Sequence, residues 1–236
     1  MKGLLKLILL VGIISFVGGK ETSADGSLQS QINAVPAGGI LTIAAGIYQE
    51  PIVLKKPIVI EAEKGTILKA CNSKPAITIK GNSVTVKGIQ IISCKKDKSA
   101  AVIKMSGKNH HLEDLTLKIW KSGIYLENVE KTSFRNLRLA GVGKENGFEL
   151  WDSHHNTFEE IKVEHVQDGF YMENSSNNTF SGNTISNSRY GLHVMFSDNI
   201  TIVEGINGCC CRLVLPDYDL ANRFNCDFGS RSLFDG

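Results

Sequence analysis

The chain lacks a charge excess. Its 26 basic and 24 acidic residues leave +2 over 236 residues, which excludes the basic footprint of a nucleic-acid binder. Its N-terminal apolar stretch, Leu4 to Val17, is interrupted by Lys6, Gly12 and Ser15 and is short for a bilayer span. It has no phosphate-cradling glycine loop, no nucleophile elbow and no metalloprotease helix motif. Proline is scarce, at 5 against 23 glycines. What is present is a globular composition, 42% hydrophobic and 21% charged, with room for one domain or two small ones. Wholesale disorder is excluded. Six cysteines are unevenly spread: Cys71 and Cys94 lie apart, whereas Cys209, Cys210, Cys211 and Cys226 crowd the end.

Residues 1–24 read as a secretory signal. Lys2 and Lys6 make a positive leader, an apolar stretch follows, and Thr22-Ser23-Ala24 offers a small-residue cleavage site. The alternative is an uncleaved anchor. Either way, membrane contact is expected only through this segment. Cleavage after Ala24 would remove Lys2, Lys6, Lys20 and Glu21, taking basic residues from 26 to 23 and acidic ones from 24 to 23. An exported, periplasmic or otherwise extracytoplasmic protein has no cytosolic substrate or nucleic acid as partner.

The middle of the chain repeats. Gly123-Ile-Tyr-Leu-Glu, Gly147-Phe-Glu-Leu-Trp, Gly169-Phe-Tyr-Met-Glu and Gly191-Leu-His-Val-Met align at spacings of 24, 22 and 22 residues. Phe134, Phe158, Phe180 and Ile202 follow as a second column, and Leu139, Val163 and Ile185 as a third. Weaker copies stand upstream at Ile77, Val84 and Ala101. Within each repeat the apolar period is two, which means strands with alternate side chains on opposite faces. Such a coil cannot bury its apolar side alone, but stacked coils about 4.8 Å apart build a continuous core. The expectation is an all-β, right-handed, single-stranded parallel β-helix over residues 41–204. Ile124, Phe148, Phe170, Leu192 and Leu126, Leu150, Met172, Val194 then point inward. Asn128 and Asn174, at equivalent turns, suit a side-chain ladder. A leucine-rich horseshoe would need a leucine consensus and helical segments, and neither is visible. Leu28, Ile32 and Val35 have helical spacing, ended by Pro36-Ala-Gly-Gly39. Residues 25–40 are therefore expected to cap the solenoid with a short helix.

Residues 28–57, through Val35-Pro-Ala-Gly-Gly39, Gly46-Ile-Tyr48, Glu50 and Lys56-Pro57-Ile58, resemble the opening of pectin-lyase-like β-helix proteins. The repeats resemble that superfamily's carbohydrate-binding and sugar-hydrolase subset. Ser188-Arg-Tyr-Gly-Leu-His-Val-Met-Phe-Ser197 is similar to the signature of the NosD family. The resemblance implies a periplasmic copper-binding protein that assists copper-centre maturation of nitrous oxide reductase, with that enzyme and an ABC transporter as partners. Family members are longer, so the chain is expected to hold the first part of such a solenoid, C-terminally truncated.

Register also defines the outward face. Tyr125, Glu149, Tyr171 and His193 form one column, and Glu127, Trp151, Glu173 and Met195 the next, about 7 Å away. Tyr125, Trp151, Tyr171 and Glu173 make a candidate binding strip of exposed rings and carboxylates. His193 and Met195, at i and i+2, suit copper as imidazole and soft thioether. Two ligands do not close a site, so a third would come from further rungs or from a partner. The alternative is a polysaccharide-binding or polysaccharide-cleaving protein, pectate-lyase- or glycosidase-like. Its catalytic residues would be Glu127, Glu149 and Glu173, with neighbouring carboxyls roughly 6–9 Å apart as inverting glycosidases require, and its rings would stack on sugars. A third reading docks the strip on another protein. Non-catalytic copper handling is the favoured function, with copper the only cofactor.

Other residues read as structural. His110-His111 and His154-His155 are adjacent pairs at turns, whose side chains diverge. His155 reads as a turn residue and His165, near Asp168, as structural; Asp152 and Asp168 read as isolated turn acids, with Arg189 near Asp168. Cys71 and Cys94, about a rung apart, are either free thiols or one disulfide. After residue 204 the repeat is lost, and Asn207 would be the next inward position. Residues 205–236 read as a non-repeat tail: either out-of-frame translation or a sequencing or gene-fusion artefact from residue 206 on, or a genuine tail in which Cys209-Cys210-Cys211 would offer thiolates to a soft metal. The expectation is an exposed end near residue 204 and self-association.

Overall fold

A computed structural model describes residues 27–71, 73–95, 101–207, 212–214 and 224–226, with side chains through residue 203 apart from Ala70. The candidate signal therefore lies outside the described residues, as does most of the tail, including Cys209, Cys210 and Cys211. Among the described residues no helix is long and apolar enough to cross a membrane.

The described chain winds as a right-handed all-parallel β-solenoid of about seven turns, with one short helix before it. Each coil contributes to three ladders. One begins with Ile40–Ile43 and Ile58–Ala62, a second with Gly46–Tyr48 and Thr66–Ala70, a third with Ile52–Leu54 and Ile77–Ile79. The strand Thr179–Ser186 runs through a corner and joins the first two ladders into one 15-stranded sheet; the third is a separate sheet of eight.

The core is the set of inward columns expected from period two. Ile124, Phe148, Phe170 and Leu192, with Leu126, Leu150, Met172 and Val194, are all buried. Phe134, Phe158 and Phe180 stack at 4.8 and 4.9 Å, and Phe148 meets Phe170 at 4.7 Å. That is the rung spacing of a sheet, so identical residues at one repeat position stack their rings. The repeat glycines have a steric cause. A Cβ on Gly147 would stand 2.6 Å from the carbonyl oxygen of Gly169, and one on Gly169 would stand 2.7 Å from that of Gly191.

The corners use left-handed residues at fixed repeat positions. Asn128, Asp152, Asn174 and Phe196 form one such column; Asn109, Lys131, His155, Asn177 and Asn199 form another. Asn128 and Asn174 do occupy equivalent places, but as exposed left-handed residues rather than as a ladder. The hydrogen-bonded ladders lie inside. Ser153 N donates to Ser175 Oγ at 3.0 Å and Ser175 N to Ser197 Oγ at 2.8 Å. Thr132 N and Asn156 N donate to the side-chain oxygens of Asn156 and Asn178 at 3.0 and 2.9 Å. These contacts satisfy backbone N–H groups where the corners interrupt the sheets.

The helix Leu28–Ala34 closes the N-terminal end. Ser27 Oγ caps it by accepting from Ser30 N at 3.1 Å, and Glu50 accepts from Leu28 N. Leu28 and Ile32 are buried against the core. Gln29 covers the edge strand Ile52–Leu54: its amide accepts from Val53 N at 2.7 Å and donates to Val53 O at 3.1 Å. An open sheet edge is thereby blocked. Cys71 and Cys94 are joined in a disulfide, with Cα atoms 4.9 Å apart.

The far end departs from expectation. The strand Ile200–Asn207 carries a bulge, so Asn207 pairs with Thr184 and not with Ile185; it is not the next inward column residue. The backbone also continues both sheets beyond residue 204, through Arg212–Val214 beside Tyr190–Met195 and Phe224–Cys226 beside Ile200–Asn207.

Candidate functional site

The site lies on the outward face of the eight-stranded sheet. Strands Ser122–Glu130, Phe148–Trp151, Asp168–Glu173 and Tyr190–Met195 pair in parallel. Register aligns Tyr125, Glu149, Tyr171 and His193 in one column, and Glu127, Trp151, Glu173 and Met195 in the other. All eight predicted residues therefore share one face. Carboxylates and rings alternate on it as on a checkerboard, so no two glutamates are direct neighbours along a strand or across a rung. Like charges directly opposite would be destabilising. The strip is half-buried and interlocked, where the sequence suggested an exposed one.

Each carboxylate is engaged. Glu127 pairs with Lys104 at 2.9 Å, and that ammonium also lies 4.9 Å from the Tyr125 ring centroid. Glu149 accepts from Ser122 Oγ at 2.5 Å and from Asn146 Nδ2 at 3.1 Å. Glu173 accepts from Tyr171 Oη at 2.9 Å. Burial, then the Glu173 hydrogen bond and its charge, push the Tyr171 phenol up to about 12. Burial, with the Glu127 charge behind it, also raises Tyr125. Trp151 leans on Tyr171 at 5.7 Å, and its indole N–H is buried without an acceptor among the described residues.

His193 and Met195 sit at the C-terminal end of the strip. Tyr171 Oη lies 3.3 Å from Met195 Sδ, and the Tyr171 and Tyr190 rings meet His193 edge-on at 5.1 and 5.4 Å. The main correction concerns Asp168. It is not an isolated turn acid: it opens the strand Asp168–Glu173 and is fully buried beneath the site. Its Oδ2 lies 3.0 Å from His193 Nδ1 and accepts from Arg189 Nη2 at 2.6 Å; Oδ1 accepts from Arg189 Nε at 3.0 Å. Arg189 stacks on Tyr190 at 4.8 Å, and its hydrogen bond to Asp168 raises its pKa further. A carboxylate only accepts, so Nδ1 carries the hydrogen and a neutral His193 keeps its lone pair on Nε2. In metal sites, a carboxylate hydrogen-bonded to one imidazole nitrogen in this way orients the other nitrogen toward the ion.

The donors fit a narrow class of ion. Among the described residues no three or more His, Cys, Asp or Glu side chains gather as a metal site. One imidazole nitrogen and one thioether two residues apart suit a soft cation of low coordination number, such as Cu(I), and not calcium or magnesium.

The other histidines stand apart. His110 is buried, accepts from Val84 N at 3.3 Å through Nδ1, and has its pKa lowered by that burial. His154 Nδ1 accepts from Ser176 N at 3.0 Å. His155 and His165 are left-handed corner residues.

Residues 122–206 match the family described as "Right handed beta helix region". Solved structures with a similar fold include a pectin methylesterase in complex with a hexasaccharide, 12% identical over 88% of this chain and 92% of that one, TM-score 0.57. The pectin methylesterase from Yersinia enterocolitica is 10% identical over 85% and 94%, TM-score 0.53. That from carrot is 11% identical over 81% and 84%, TM-score 0.54. Likeness at this identity establishes the fold alone. No curated protein matches the chain.

Proposed function

We propose that this is a non-catalytic, extracytoplasmic copper-handling protein of NosD type, in which His193 and Met195 hold Cu(I) for a copper enzyme under maturation. One observation carries the reading: buried Asp168 engages His193 Nδ1 and leaves the imidazole lone pair on Nε2, with Met195 two residues on along the same outward face. A site of two ligands releases its ion readily to a partner that supplies more. Nitrous oxide reductase and an ABC transporter are the partners this reading takes from the NosD-like stretch. The test is competition against a colorimetric Cu(I) chelator. Binding of one ion by the wild type and its loss in His193→Ala/Met195→Ala support the reading; unchanged affinity in the double variant overturns it.

A second reading, polysaccharide recognition, is favoured by the half-buried rings Tyr125, Trp151 and Tyr171 on one face and by the fold shared with pectin methylesterases. Cleavage is the weaker form of it, because Glu127, Glu149 and Glu173 are already engaged by Lys104, Ser122 and Tyr171. Release of reducing ends or unsaturated sugar from uronate polymers, lost in Glu149→Gln, is the result that would favour it.

A further inference from the structure

Cys71 and Cys94 close a corner of the second ladder. Lys69, Ile92, Lys118 and Ala140 are successive partners in that ladder, and two residues after each stand Cys71, Cys94, Trp120 and Val142. The disulfide therefore ties two residues that the sheet already sets one rung apart. The next coil secures the same corner without it: Ser93 Oγ donates to Lys118 O at 3.2 Å and accepts from Trp120 N at 2.9 Å. Trp120 and Val142 hold their coils at this position with no cross-link, so the fold alone does not call for one. The bond is also within reach. Cys71 is exposed and Cys94 half-buried, and access is one of the factors that set how fast a thiol attacks a disulfide. Further along the column, Trp120 is 39% and Val142 43% exposed, before Val166 turns into the core. Lys95, next in sequence to Cys94, holds its ammonium 5.9 Å from the Trp120 ring centroid. A cation there favours Cys94 as a leaving thiolate.

The structure assigns this corner as a thiol–disulfide exchange site, whose partner is a Cys-x-x-Cys dithiol protein docked on Trp120 and Val142. A thiolate of the partner attacks Cys71 Sγ, the more exposed sulfur; the Cys71–Cys94 bond breaks and Cys94 leaves as a thiolate. The partner's second thiolate then attacks its own sulfur in the mixed disulfide and releases Cys71. Two electrons pass from the partner to this chain. The partner ends as a disulfide, and Cys71 and Cys94 take up the two protons it gives up. The apolar neighbours select a protein over a small thiol, which has nothing to place on them. The corner lies on a different sheet from His193, and the proposal stands or falls apart from the copper reading.

The test is reduction of the whole oxidised protein by two probes at equal thiol concentration: a purified Cys-x-x-Cys dithiol protein of thioredoxin fold, and dithiothreitol. Alkylation and peptide mass spectrometry follow Cys71 and Cys94 apart from Cys209, Cys210, Cys211 and Cys226. The dithiol protein should react about tenfold faster or more, because its attacking thiol, of pKa near 7, is largely thiolate and is docked. Trp120→Ser/Val142→Ser should slow that reaction about fivefold, the order expected from losing two half-exposed apolar contacts, and leave the dithiothreitol rate unchanged. Val142→Ser alone should act in the same direction with an unchanged melting curve. A dithiol protein lacking its second cysteine should stay linked to Cys71. A purely structural staple would behave differently. A bond that opens only when the protein unfolds, equal rates with the two probes, or a dithiol-protein rate indifferent to both variants would overturn the proposal.

Discussion

Asp168→Asn tests how the strip is held and what it does. The carboxylate makes three charge-assisted contacts, two to Arg189 and one to His193 Nδ1, from a fully buried position. Removing one partner of a buried pair costs about 3–5 kcal/mol. Two features reduce that here. The Arg189 side chain is 47% exposed and resolvates, and asparagine keeps one acceptor. A loss of about 2 kcal/mol follows, the worth of one hydrogen bond to a charged group. The chemical effect is sharper. If the asparagine amide donates to Nδ1, the imidazole hydrogen moves to Nε2, and the atom proposed to bind copper loses its free lone pair and becomes a hydrogen-bond donor. The assays are urea unfolding at neutral pH and Cu(I) competition, with the tautomer read from ring-nitrogen NMR shifts. The account expects both the stability loss and at least tenfold weaker copper binding. A variant as stable as wild type, or one that binds copper equally with its hydrogen still on Nδ1, would refute the reasoning.

Three further outcomes are expected. In an ultraviolet titration Tyr171 should ionise near pH 12. Its raised folded pKa adds stability below the ordinary value of 10 that fades as pH climbs from 10 toward 12; Tyr171→Phe should remove the late step, and Glu173→Gln should bring it earlier. Glu113 has a lowered pKa, first through the Lys87 hydrogen bond and then through His111. Its contribution is therefore present above the ordinary 4.5 and lost as pH falls through its lower folded value, so urea midpoints of wild type and Glu113→Gln should converge in acid. Phe196 sits at φ 49°, where the three preceding coils place Asn128, Asp152 and Asn174. Phe196→Asn should stabilise the protein by about 1 kcal/mol, the left-handed cost of a bulky residue, measured by urea unfolding; a loss would show that the ring is packed rather than exposed.

Much of the solenoid was legible because a 22-residue period makes one register assignment govern every coil. Gly123, Gly147, Gly169 and Gly191 set that register, and the inward and outward columns followed from alternation alone. What escaped was chemistry between coils. Asp168 and His193 are 25 residues apart, and neither looks unusual beside its own neighbours. The repeat placed Arg189 near Asp168, because Asp168 directly precedes Gly169 and Arg189 stands two before Gly191, one rung on; the contact of Asp168 with His193 was the part left unread. The ladders were misassigned to Asn128 and Asn174 because asparagine suits both a left-handed corner and a buried ladder. Only burial separates the two, and Ser153, Ser175 and Asn178 carry no periodic hydrophobic mark. The bulge in Ile200–Asn207 shifts register by one residue, which a fixed period cannot anticipate.

The most direct measurement is X-ray absorption at the copper edge of protein loaded with one equivalent of Cu(I). The account predicts a first shell with one sulfur and one imidazole nitrogen, the sulfur vanishing in Met195→Leu and the imidazole in His193→Ala. A shell of oxygen and nitrogen donors alone, or one that survives both substitutions, would contradict it.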